Sequence, residues 1–162
     1  MSSDETQRRQ FLRHTVATLA YRGGKVIRDA PEGFAAVRAC ETCRTAGEIL
    51  RHVGDLLEWA FWLAKGERGG RGGTEQLWEA DVERFFERLR LLDEYLASDA
   101  PLGNPPEKIY QGPIADALWH VGQIATLRRL AGSPIRGENY FRAEIEVGRV
   151  GPDQSSKRVE FD

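Results

Sequence analysis

The 162-residue chain is poor in the side chains that most often carry chemistry, with two cysteines, three histidines and one methionine. Two cysteines cannot form the disulfide framework of a small secreted domain, and they suit a reducing cytoplasm. No stretch approaches about 18 apolar residues free of charge, so no membrane-spanning helix is expected. Net charge is also nearly absent. The 23 Lys and Arg against 25 Asp and Glu leave −2, which gives no general attraction to nucleic acid or to acidic membranes. Residues 1–10 are polar and charged and do not have the apolar centre of a signal peptide. A cytoplasmic location is therefore expected. Lysine is scarce beside arginine, but the arginines are scattered and form no dense stripe. No internal repeat is found.

The residues that are present describe one globular domain over 1–162, with 41% apolar and 30% charged residues. Four segments carry a helical period. The first covers about residues 4–28, with Phe11, Leu12, Thr15, Leu19, Val26 and Ile27 on one face, and Gly23 and Gly24 interrupting it. Those glycines either kink the helix or let a neighbour approach closely. The second starts at Thr45, where Thr45 and Glu48 have capping-box spacing, and buries Ile49, Val53, Leu56, Leu57, Ala60, Phe61 and Ala64. A stretch with five glycines over 66–73 reads as a mobile loop. The third, residues 75–96, repeats Trp78, Val82, Phe85, Leu89, Leu92 and Leu96. Residues 98–112 form a long connection. The fourth begins with Pro113 at a first helical position and ends at Gly132 before Pro134. Four such helices predict an all-α four-helix bundle over about 4–132 and an irregular tail over 133–162. Residues 142–150 alternate in part and could form one strand.

Asp116 and His120 are four residues apart, so they project from one helix face and can chelate one ion. If the second and fourth helices are neighbours, His52 completes a three-ligand site. Such a donor set suits zinc, nickel, iron(II) or manganese and leaves positions open for water or substrate. Spacing leaves a second account open. Asp116 lies in the first turns of a helix, where an acid is favoured electrostatically, and the two histidines could be satisfied at the core edge. Gln123 and Asp55 are candidates for orienting ligands. Cys40 and Cys43 form a lone CxxC, read mainly as a pair of small buried thiols and otherwise as a redox couple or half of a zinc site. Tyr21, Trp59, Trp62, Trp78 and Trp119 are mostly core by spacing, and His14 is a helix-face residue.

"TAGEILRHVGDLLE" (45–58) and "DALWHVGQIATLRRLAG" (116–132) resemble the second- and fourth-helix signatures of the DinB-like (YfiT-like) family. "GENYFRAEIEVGRVGPDQ" (137–154) is similar to a tail in one branch of it. The resemblance implies a four-helix bundle in up-down-down-up order. It implies His52 and His120 as metal ligands, with Asp116 where the family usually has a further histidine. It also implies thiol-dependent transferase or isomerase activity with a low-molecular-weight thiol. A metal-dependent hydrolase and a non-enzymatic metal- or partner-binding bundle are the alternatives. Aromatic content points to a homodimer, and DNA binding is not expected from this charge.

Overall fold

Among the described residues, four long α-helices and one short one follow in the order α1 (Ser3–Ile27), α2 (Ala46–Lys65), α3 (Trp78–Ala97), α4 (Pro106–Ile109) and α5 (Ala115–Leu130). The computed structural model describes residues 3–70, 72–75 and 77–161. Met1, Ser2 and Asp162 lie outside the described residues. So do Arg71 in the glycine-rich stretch and Gln76 near the expected start of the third helix. The chain is thus mostly helical, as its periodicity predicts.

Local chemistry sets the ends. Thr45 caps α2 as expected: its side chain accepts from Glu48 N–H at 3.2 Å, while Glu48 accepts from Thr45 N–H at 2.7 Å. Gly66 ends α2 in the left-handed region, φ 72°, and lies back to back with Gly103. There the loop returns hydrogen bonds to the last carbonyls of α2, from Gly103 N–H to Ala64 O at 2.8 Å and from Asn104 to Leu63 O at 2.9 Å. α5 ends in a Schellman arrangement, Ser133 N–H to Arg128 O and Gly132 N–H to Arg129 O.

The fourth helical segment begins earlier than Pro113. Pro106 takes the first position of α4, and residues Tyr110–Ile114 then form a π-helical turn with Pro113 inside it. Proline has no N–H to place in the helical ladder, and a wide turn accommodates that gap. The connection expected over 98–112 is therefore partly helical.

α1 and α2 each pack on α3 and α5. Leu12, Val16 and Leu19 of α1, Leu50, Val53 and Leu57 of α2, Phe85, Leu89 and Leu92 of α3, and Ile124 of α5 are fully buried between them. Gly23 supplies close approach and not a kink: α1 runs through it unbroken, and a Cβ there would overlap the Phe85 ring. Phe11 is a correction to the expected face of α1, since it stands 66% exposed. The tail is irregular, and among its described residues the strands are Gly137–Glu138 and Glu160–Phe161, paired antiparallel, and not residues 142–150. No described helix is long and apolar enough to cross a membrane.

Candidate metal centre

α2 carries His52 at the border of its buried stripe, beside Ile49, Val53 and Leu56. α5 carries Asp116 and His120 one turn apart. The π-turn just before α5 matters here, because one extra residue in a turn rotates every following side chain by about 100° about the helix axis. Packing of α2 on α5 then brings the three together. One donor atom from each of His52, Asp116 and His120 lies within 4.8 Å of the other two. His120 Nε2 is 3.5 Å from Asp116 Oδ1, and His52 Nε2 is 3.9 Å from Asp116 Oδ2. The two imidazole rings meet edge to face, with centroids 4.8 Å apart.

These spacings fit a small divalent cation. Ligands bound at about 2.1 Å in tetrahedral geometry stand roughly 3.4 Å from each other. The Asp116–His120 pair already meets that value, and no gap among the three donor atoms exceeds 4.8 Å. Among the described residues this is the only group of three acidic, histidine or cysteine side chains so disposed. The group could hold a metal ion.

The surroundings favour a neutral His52 imidazole. Burial pushes the His52 pKa below its ordinary value. Arg44 and His120 push the same way, against the opposing pull of Asp116 and Asp55. His120 Nδ1 is 2.9 Å from Gln123 Oε1. With the amide oxygen turned to the ring, Nδ1 is the donor, and this contact orients Nε2 towards the site. The side chain of His120 is 11% exposed, that of His52 29% and that of Asp116 49%, so the centre opens to solvent on the Asp116 side.

A cavity of about 480 Å³ adjoins the centre, walled by Cys43, Arg44, Ile49, His120, Gln123 and Leu127. Two of these walls were not foreseen. Arg44 precedes the capping box and carries no motif of its own. Cys43 was expected to be buried as a free thiol, yet it is disulfide-bonded to Cys40, which is exposed. The bridge sits in the turn before α2, outside the hydrophobic core, which is why burial does not apply.

Other candidates fall elsewhere. Asp55 Oδ1 accepts from Gly73 N–H at 2.6 Å and from Arg84 at 2.7 Å, so its carboxylate joins α2 to α3 and to the loop between them. His14 is exposed on α1. Tyr21 is in the core, but Trp59 and Trp119 are exposed, Trp119 to 71%, which corrects the reading of both as core. Comparison of the chain with protein-family models, with curated proteins and with solved structures gives no match.

Proposed function

We propose that the chain is a divalent-metal-dependent enzyme of the DinB-like four-helix-bundle type, with His52, Asp116 and His120 as metal ligands. The observation that carries this reading is the convergence of three donor atoms from two helices within 4.8 Å of each other. The packing of α1 and α2 against α3 and α5 is compatible with such a bundle, and the reading extends to an up-down-down-up helix order. When bound, zinc, nickel, iron(II) or manganese supplies Lewis acidity and lowers the pKa of a water or thiol beside it. Gln123 fixes the His120 ring, and the exposed Asp116 side admits a small substrate. A low-molecular-weight thiol is the proposed co-substrate. The cavity beside His120 has room for one, and Arg44 on its wall suits the carboxylates that such thiols carry.

Elemental analysis of protein purified without a metal-affinity tag tests the centre. One ion per chain is expected, lost in His52→Ala and in His120→Ala while the helical circular dichroism persists. Equal metal content in wild type and both variants would sink the assignment. Thiol transfer to an electrophile, assayed beside ester hydrolysis, then separates a transferase from a hydrolase. Bound metal with neither activity leaves a binding bundle.

The proposal includes a homodimer, with exposed Phe11, Trp119 and Leu130 as apolar surface for it to cover. Light scattering is expected to give twice the 18.2 kDa of one chain. A single-chain mass throughout the micromolar range contradicts it.

A further inference from the structure

The Cys40–Cys43 disulfide is a poor staple. It joins residues three apart in sequence, within a turn that the Cys43 N–H to Cys40 O hydrogen bond, 3.1 Å, already closes. Loop-closure entropy grows with loop length, so a bridge this short constrains the unfolded chain least. It links no two helices, and neither sulfur belongs to the hydrophobic core. Cys40 is exposed and Cys43 half-buried, with Cys43 on the wall of the cavity that His120 also lines. Exposure, weak structural duty and a cavity at one end together suit exchange chemistry.

We infer that Cys40–Cys43 is a redox-active thiol–disulfide exchange site for low-molecular-weight thiols and their disulfides, opened at the exposed Cys40, with Cys43 as the leaving sulfur on the cavity wall that it shares with His120. This does not depend on a bound metal. The thiolate of a small thiol attacks Cys40 Sγ, on the more exposed residue of the pair. A sulfur–sulfur bond forms to Cys40, the Cys40–Cys43 bond breaks, and its electron pair leaves on Cys43 Sγ. Arg44, next in the chain and on the same wall, and the start of α2 at Ala46 favour that anion. A second small thiolate attacks the small-thiol sulfur of the mixed disulfide. The small disulfide departs and the electron pair goes to Cys40 Sγ, which has the Thr42 hydroxyl 3.7 Å away in the bridged form. The two protons of the small thiols end on Cys40 and Cys43. Two thiols are oxidised to one disulfide, and the protein gains two electrons; the reverse oxidises the pair.

The full chain, with a metal chelator present throughout, is equilibrated in mixtures of glutathione and glutathione disulfide. It is then quenched in acid, alkylated, and its free thiols are counted by mass spectrometry. The reduced fraction is expected to follow the mixture reversibly between all and none, with the helical circular dichroism unchanged. Cys43→Ser is expected to take up one glutathione per chain, on Cys40. Reduction only after denaturation, loss of helical signal on reduction, or a Cys43→Ser chain that stays unmodified would each overturn the inference. Because the chelator removes any metal, failure of the metal proposal leaves these outcomes unchanged.

Discussion

His120 is gripped from two sides, by Gln123 at Nδ1 and by the facing groups at Nε2. The metal reading makes the first contact an orienting one. Gln123→Ala is therefore expected to weaken metal binding by about 10–100-fold, with the fold intact. Competition titration against a chromophoric chelator measures it; unchanged affinity would detach Gln123 from the centre. Asp116 bears on metal choice. A carboxylate is a harder donor than imidazole, so Asp116→His is expected to tighten nickel and zinc binding relative to manganese. Titration of both proteins with each ion decides; identical affinities would remove Asp116 from the ligand set. The Asp116–His120 spacing was legible because a four-residue step on a helix is a geometric statement. His52 needed the pairing of α2 with α5, which periodicity does not supply. The state of Cys40 and Cys43 was not legible either, since a CxxC does not say whether its turn is buried.

Helices were readable, and their phases were less so. Phe11 and Leu12 are adjacent on α1, and Leu12 takes the buried position while Phe11 stands at the rim beside Pro106 and Tyr110. Pro113 was ambiguous because a first-turn proline and a proline in a π-turn both tolerate the lost N–H. Gly23 had two readings, kink or close approach, and the second holds because the fully buried Phe85 ring fills the space. Gly23→Ala sets two effects against each other. Helix propensity favours alanine by about 1 kcal/mol, whereas overpacking a ring that cannot move costs about 1–3 kcal/mol. A net loss of about 1 kcal/mol is expected in urea unfolding, reduced when Phe85→Leu is added. A stabilised Gly23→Ala would show that α1 and α3 can part at this point. The arginines, scattered in sequence, turn out to join elements. Buried Arg128 of α5 donates to Val26 O, Arg28 O and Asp29 O at the end of α1, at 2.8–3.2 Å. Arg9 of α1 does the same for the carbonyls of Leu96 in the last turn of α3 and of Ser98 and Ala100 after it. Arg128→Ala leaves the buried Val26 carbonyl and the part-buried carbonyls beside it without this donor and is expected to cost about 3 kcal/mol, read from the same unfolding curves. A loss within experimental error would mean that water replaces the guanidinium there.

At the scale of the whole molecule, the irregular tail is tied to α1 by one buried charge cluster. The short β-pairing aims Glu138 at α1, where it accepts from Tyr21 Oη at 2.5 Å and from Lys25 Nζ at 2.6 Å. Lys25 also meets Glu160 at 2.8 Å, so both strands are held by one ammonium group. Tyr140 stacks edge-on to Tyr21, and Arg22 lies over its ring. No such role was visible in sequence, because the partners stand more than 100 residues apart. Burial alone would raise the Glu138 pKa, but the hydrogen bonds from Lys25 and Tyr21 outweigh it and hold the pKa below its ordinary value. Burial alone would lower that of Lys25, but Glu138 and Glu160 outweigh it and raise it. Burial and Glu138 together raise that of Tyr21. The signs then follow from linkage. A depressed carboxyl pKa gives stability that is present above the unfolded value and is lost as pH falls through the folded one. A raised lysine or tyrosine pKa gives stability that is present below the unfolded value and is lost as pH rises through the folded one. The cluster is thus expected to hold the tail from the ordinary carboxyl range up to that of lysine and tyrosine, and to fail on both sides. Glu138→Gln keeps the shape, removes the charge and turns an amide donor towards Lys25. A loss of about 3 kcal/mol is expected at neutral pH, the usual scale for breaking a buried ion pair. The difference between wild type and variant should shrink as pH falls through the carboxyl range, because protonation then removes the same charge from the wild type. Urea unfolding of both proteins at pH steps from neutral to acid reads that difference directly, with other acids cancelling between them. A gap that stays constant with pH would show that Glu138 acts by packing and not by charge.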